Sequence, residues 1–128
     1  MNSIEAISAV TLLVADMARS VRFYEALGFE RIYGGENADF TSYRAGEGYL
    51  NLGVRADSAG ISVWGRTIFY VSDVDVIYET ALAAGMTPEF TPRDAPWGER
   101  YFHLRDPDGH ELSFARPLEG TGNGSGPG

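Results

Sequence analysis

The stretch Ile7-Ser-Ala-Val-Thr-Leu-Leu-Val-Ala-Asp-Met-Ala-Arg-Ser-Val-Arg-Phe-Tyr-Glu-Ala-Leu-Gly28 decides the fold. Ile7 to Val14 is rich in β-branched and aliphatic residues and predicts a strand. Asp16 then offers a side-chain oxygen to the free N–H groups of a helix start. Met17, Val21, Tyr24 and Leu27 follow at helical spacing, and Gly28 stands where a left-handed C-terminal cap is expected. The same grammar returns further on: a strand from Arg66 to Val71, a cap at Asp73, a stripe of Val74, Ile77, Tyr78, Ala81 and Leu82, and a stop at Gly85. Val14 to Val71, Asp16 to Asp73 and Gly28 to Gly85 are each 57 positions apart, which makes the chain an internal repeat.

Short β-like runs follow each helix. In the first copy they are Phe29 to Tyr33, Asp39 to Arg44 and Gly48 to Val54; in the second, Met86 to Thr91, Arg100 to Arg105 and Glu111 to Arg116. Each copy is therefore a βαβββ module with its helix over one sheet face, and the expected fold class is α+β. Module one spans about residues 4–56 and module two about 62–117, within one domain of residues 1–118. Asp57 to Gly60 reads as the linker. Residues 119–128, nearly all Gly, Ser, Thr, Asn and Pro, carry too little apolar surface to order themselves and are expected to be disordered. The last two runs, joined by Asp106-Pro-Asp-Gly-His110, form a hairpin.

Composition narrows the function. A 128-residue chain with 44% hydrophobic residues suits one globular domain. The net charge of −8 argues against nucleic acid, whose phosphates need basic patches. All ten basic residues are arginine, so Schiff-base and lysine-base chemistry is excluded, and the absence of cysteine excludes thiolate metal sites and cysteine nucleophiles. No apolar run approaches the roughly 20 residues of a membrane-spanning helix. The first residues lack the pattern of a secretory signal, so the expected location is cytoplasmic. Gly34-Gly35 and Gly46-Glu-Gly48 read as hairpin turns, since no basic residue or helix start follows them to make a phosphate cradle.

Strand alternation sorts the side chains. Val10, Leu12 and Val14 share a face, as do Leu50, Leu52 and Val54; Thr67, Phe69 and Val71; and Phe102, Leu104, Leu112 and Phe114, the sets expected beneath the helices. The opposite faces carry Ala9, Thr11 and Leu13; Tyr49, Asn51 and Gly53; Trp64, Arg66, Ile68 and Tyr70; and Tyr101, His103, Glu111 and Ser113. Trp and Tyr mixed with a few polar groups is the composition of a pocket lining, and equally of a subunit interface. Curved mixed sheets, one per module, are expected to form a cup with the helices on its outer side. Pairing Phe102 with Phe114 sets His103 opposite Ser113 and gives Glu111 a cross-strand ion partner in Arg105. His110, in the turn, is expected to be solvated.

With its paired βαβββ modules, Val14-Ala-Asp16 leading into Val21-Arg-Phe-Tyr24 and Leu27-Gly-Phe29, and Asp106-Pro-Asp-Gly109 in the last hairpin, the chain resembles the vicinal oxygen chelate superfamily over about residues 4–117. That superfamily includes glyoxalase I, the extradiol dioxygenases and the bleomycin resistance proteins. Its metal-using members hold a divalent ion on four strands at positions that here are Ala9, Asn51, Arg66 and Ser113. None is a good ligand: Ala9 has no donor atom, Arg66 is a permanent cation, and Asn51 and Ser113 are weak neutral donors. No metal or other cofactor is therefore expected.

An aromatic cup without metal ligands resembles the bleomycin-resistance branch, whose members capture an antibiotic unchanged and are generally homodimers with ligand grooves between chains. The resemblance implies that this protein sequesters an aromatic DNA-damaging antibiotic of bleomycin, mitomycin or enediyne type. Trp97, in Trp97-Gly-Glu-Arg100, matches the tryptophan-bearing mouth of the groove; Phe40, Tyr49, Trp64, Tyr70 and Tyr101 would be walls, and Asn51, Arg66, His103 and Ser113 the polar contacts. The alternative is a metal-independent lyase, isomerase or tailoring enzyme with His103 or Glu111 as base.

Overall fold

A computed structural model describes Ser3, residues 5–55 and residues 64–119. The chain divides into two compact units, Met1–Gly60 and Ile61–Gly128. The expected linker at Asp57 to Gly60 and the Gly-rich segment beyond Glu119 lie outside the described residues.

The first unit contains β1 (Ala9–Val14), α1 (Met17–Ala26), β2 (Glu30–Tyr33), β3 (Phe40–Ala45) and β4 (Gly48–Val54). Its sheet has the order β1-β4-β3-β2, with β1 parallel to β4 and the other neighbours antiparallel. The second unit repeats this plan with β5 (Arg66–Tyr70), α2 (Val74–Ala83), β6 (Arg93–Asp94), β7 (Glu99–Arg105) and β8 (Glu111–Pro117). Its order is β5-β8-β7-β6, with β5 parallel to β8. The architecture is α+β: two four-stranded mixed sheets and two helices among the described residues, with no closed barrel.

Both helices start and stop as their sequence dictates. The Asp16 carboxylate accepts from the Arg19 N–H at 3.1 Å, and that of Asp73 from the Val76 N–H at 3.2 Å. Gly28 and Gly85 follow with φ of 103° and 84°, a left-handed backbone that side-chain-bearing residues avoid. Helix α1 packs on β4, and α2 on β7 and β8.

In the first unit Leu12, Val14, Val21, Tyr24, Tyr43, Leu50 and Leu52 form the core, with the Tyr24 ring edge-on to Phe29 at 5.4 Å. In the second, Phe102, Leu104, Leu112 and Phe114 are buried; Phe114 stacks on Phe69 at 5.6 Å and on Phe102 at 5.5 Å, and Tyr78 of α2 meets Phe102 edge-on at 5.4 Å. Burying each such side chain contributes about 1.5–3 kcal/mol. The assignment of faces by alternation holds, though Val54 near the sheet end is 38% exposed, and Thr67, Phe69 and Val71 are only half-buried because β5 lies at a sheet edge.

One strand is displaced from its expected place. Met86 to Thr91 is irregular, and the edge strand is instead the two-residue β6, paired Arg93 to Tyr101 and Asp94 to Arg100. Pro88 removes a backbone donor from within the expected run and Pro92 follows directly after it, which prevents continuous pairing. His110 is a second correction: it is buried, not solvated. Its backbone N–H donates to Asp106 Oδ1 at 2.9 Å, and its Nδ1 accepts from Trp64 Nε1 at 3.1 Å.

Because each cap satisfies a helix N–H that otherwise has no intrahelical partner, Asp16→Ala and Asp73→Ala should each lower unfolding free energy by about 1 kcal/mol. Urea titration should show a shifted midpoint with an unchanged slope, and an unshifted midpoint would contradict the capping role.

Candidate functional site

The helix-free face of the first sheet carries a row of polar groups. Thr11, Asn51 and Ser42 stand in register across β1, β4 and β3. Ser42 Oγ donates to Asn51 Oδ1 at 2.7 Å, and Asn51 Nδ2 donates to Thr11 Oγ1 at 3.3 Å. The Asn51 amide is thus held in a cross-strand ladder. Around it are Phe40, 6.4 Å from the Tyr33 ring, and Tyr49, whose ring has the Arg44 guanidinium at 5.6 Å. Phe40 and Tyr49 are both exposed.

The second sheet gathers seven of the expected site residues, and β8 organises them. Ser113 and Ala115 stand in register with Ile68 and Tyr70 of β5 on one side, and with His103 and Tyr101 of β7 on the other. Small residues on a central strand between larger ones make a furrow along β8, with both floor residues fully buried and Ile68 and Tyr70 exposed on its wall.

Aromatic rings continue along the β7 side. His103 lies 5.2 Å from Tyr101 and 5.1 Å from Phe90, and Tyr101 lies 5.6 Å from Trp97. Arg93 sits over Phe90 at 3.7 Å. Trp97 is held by Glu99, whose Oε1 accepts from the indole Nε1 at 3.1 Å while Oε2 accepts from the Tyr70 hydroxyl. The Tyr70 phenol therefore bridges β8, and the hydrogen bond to Glu99 raises its pKa. Trp64 belongs to the other end of β5, bonded to His110.

One end of the furrow is charged. Arg66 donates through Nε at 2.9 Å to Glu111 Oε1, and its Nη2 lies 2.8 Å from the same oxygen. Parallel β5–β8 pairing sets these two side by side, and the expected partner Arg105 is a longer contact at 3.7 Å. Arg105 also lies 3.3 Å from Glu89. Burial and the hydrogen bond to Glu111 raise the pKa of Glu89. Burial works to raise Glu111 too, but the Glu89 hydrogen bond and Arg66 hold it below its usual value. The two carboxylates are therefore pushed in opposite directions, Glu89 upward and Glu111 downward. Burial, then the charge of Arg66, lower the pKa of His103.

Neither possible metal arrangement fits a cation. Of the family's four positions, Ala9 offers nothing, Asn51 is spent in its ladder, Arg66 is a cation bound to Glu111, and Ser113 brings one neutral hydroxyl. Glu89, His103 and Glu111 do place one ligand-capable atom each within 4.8 Å of one another. Their carboxylates, however, are paired to the Arg66 and Arg105 guanidinium groups, which a metal would have to displace.

Glu89, Phe90, Arg93 and Glu99 are site residues beyond those the sequence singled out. Glu99 carried a usable signal, since alternation along β7 places residues 99, 101 and 103 on one face. Nothing local marked Glu89 or Phe90, which reach the site from an irregular stretch.

Paired βαβββ modules in an α+β chain, each with a helix on one sheet face, define a class of fold. The model of the Glyoxalase/Bleomycin resistance protein/Dioxygenase superfamily matches residues 6–114, and the chain belongs to that family. A small-molecule-binding role in general goes with that membership.

Among solved structures, TioX from Micromonospora sp. ML1 is 27% identical with a TM-score of 0.71, covering 89% of this chain and 100% of that one. The bleomycin resistance determinant of transposon Tn5 is 20% identical with a TM-score of 0.73 (88% and 98% covered). Lactoylglutathione lyase from Agrobacterium tumefaciens is 20% identical with a TM-score of 0.71 (90% and 96% covered), and these last two likenesses concern the fold alone. An uncharacterized protein of Mycobacterium bovis is 42% identical over 48 residues, 38% of this chain and 32% of its own length, so the matched segment spans about a third of that relative. No described helix is long and apolar enough to cross a membrane.

The lowered pKa of His103 has a signed consequence. Between its ordinary value of 6.5 and the lower folded value, the unfolded chain binds the extra proton, so stability falls as pH falls. The contribution is complete above about pH 6.5 and is lost as pH drops through the folded value. Relative to His103→Gln, the wild type should lose stability in urea titrations between pH 7.5 and 5; a constant difference would contradict a buried neutral imidazole.

Proposed function

We propose that this protein binds and sequesters an aromatic, DNA-damaging antibiotic of bleomycin, mitomycin or enediyne type, without a metal and without altering it, and so confers resistance. The observation that supports this reading most is the furrow of the second sheet: a floor of Ser113 and Ala115, walls of Ile68, Tyr70, Tyr101 and His103, and an indole fixed beside it by Glu99. Flat rings stack on such a surface, and each aromatic contact contributes about 0.5–1.5 kcal/mol beyond burial. Phe40, Tyr49 and Asn51 on the first sheet and Trp64 and Arg66 on the second are proposed as further contacts, in a homodimer whose grooves lie between chains.

Capture protects a cell only when the dissociation constant lies well below the toxic concentration, which requires binding beyond about −8 kcal/mol. The donor set bears on the chemistry as well, because Glu111 and Glu89 are paired to arginines and Glu99 accepts from Trp97 and Tyr70.

A second reading rests on one observation: His103, whose pKa burial lowers, lies 4.0 Å through Nδ1 from the Glu111 carboxylate. That arrangement suits a metal-independent proton-transfer enzyme with His103 or Glu111 as base. Incubation with bleomycin, mitomycin C and an enediyne, followed by mass analysis, separates the two. Capture predicts recovery of the intact compound, and a mass change or isomeric product would favour catalysis.

If Trp97 stacks on the ligand, Trp97→Ala should weaken binding of the compound that shifts the melting temperature by about tenfold or more, with little loss of fold stability. Equal affinity of wild type and variant in calorimetry would remove Trp97 from the site.

A further inference from the structure

Two polar atoms in the second unit are buried without a hydrogen-bond partner among the described residues: His103 Nε2 and Ser113 Oγ. They belong to residues directly opposite each other in the β7–β8 register, on the furrow face of the sheet. His103 is 9% exposed and Ser113 0%. Leaving one buried donor or acceptor unsatisfied costs about 1–3 kcal/mol. Two such orphans on neighbouring strands, when the other buried side-chain nitrogen and oxygen atoms of the described residues have partners, mark a place where a ligand can supply the missing bonds.

We propose that His103 and Ser113 form a recognition point for an uncharged hydroxyl or amide carried on an aromatic ligand, a phenol being the simplest such group. This inference rests on the reading of the furrow as a binding site and names the polar group that the site selects.

The chemistry of the two atoms sets the class. Nδ1 is the ring nitrogen of His103 nearer the Glu111 carboxylate, at 4.0 Å, and with the ring proton on that side Nε2 presents a lone pair. Ser113 can donate through its hydroxyl and accept through its oxygen. A phenol or amide donates to Nε2 and accepts from Ser113 at once. An ionised carboxylate and an ether both lack the proton that Nε2 would accept.

The surroundings are aromatic, with Phe90 and Tyr101 within 5.1–5.2 Å of the imidazole, which fits a ring bearing the polar group. Access requires the Phe90 ring to turn aside. Phe90 lies in the irregular stretch before β6, tied to β7 by the Glu89 N–H on the His103 carbonyl at 2.9 Å and covered by Arg93 at 3.7 Å, so the movement required is of the ring and not of the backbone.

The probes are 2-naphthol, 2-methoxynaphthalene and 2-naphthoate, which share one ring system and differ in the group offered. Affinities come from calorimetry on the full chain near neutral pH. The expected result is that 2-naphthol binds about tenfold more tightly than either of the others. Ser113→Ala and His103→Phe should each abolish the roughly tenfold preference for 2-naphthol over 2-methoxynaphthalene.

Ser113→Ala should also raise the melting temperature, since it removes an orphaned hydroxyl, whereas a hydroxyl with a structural partner would make the same variant less stable. Equal binding of naphthol and ether to the wild type overturns this inference alone. Failure of all three compounds to bind overturns the reading of the furrow as an aromatic site, and this inference with it. A lower melting temperature for Ser113→Ala also overturns it.

Discussion

The site depends on the register of β8, held parallel to β5 on one side and antiparallel to β7 on the other. A central strand with two fixed neighbours turns a one-dimensional alternation into a two-dimensional map, because residues in register share a sheet face. From that one constraint come the core row, Phe69–Phe114–Phe102, and the furrow rows, Ile68–Ser113–His103 and Tyr70–Ala115–Tyr101. A slip of one residue would move the phenylalanines into the furrow and the serine into the core. The stacking of Phe114 on both neighbours therefore positions the site as well as stabilising the sheet.

Charge is managed by the same geometry. Arg66 and Glu111 are 45 residues apart in sequence and adjacent only through parallel pairing. Their bond neutralises a position at which the family's metal-using members carry a ligand. Against burial, the Glu89 hydrogen bond and Arg66 hold the Glu111 carboxyl below its usual value, while burial and Glu111 push that of Glu89 upward. The result is a polar end whose charges are mutually satisfied, next to two neutral atoms that are not. Such a surface favours recognition of a neutral polar group over coordination of a cation.

Much of the fold was legible in the chain because its signals are local. The repeated cap, stripe and glycine stop identified both helices, and alternation assigned Leu12, Leu52, Phe102 and Phe114 to the core and Tyr101, His103 and Ser113 to the other face. What was not legible depends on long-range pairing. The edge strand at Arg93–Asp94 was missed because the more apolar run before it is interrupted by prolines. His110 looked like a solvated turn residue because its partner, Trp64, is 46 positions away. The Tyr70–Glu99–Trp97 bridge needs three elements in place before it exists at all. The three residues named on the first sheet, Phe40, Tyr49 and Asn51, lie on its helix-free face as alternation required, but Asn51 is engaged by Thr11 and Ser42.

The central claim is that the furrow along β8 captures an aromatic ligand. The most direct measurement is NMR shift mapping on isotope-labelled protein as 2-naphthol is added. The account predicts that the largest changes fall on Ile68, Tyr70, Trp97, Tyr101, His103 and Ser113, with the core residues Leu104, Leu112 and Phe114 and the outer surface of α2 little affected. Changes concentrated on α2, or absent from β5, β7 and β8, would contradict it.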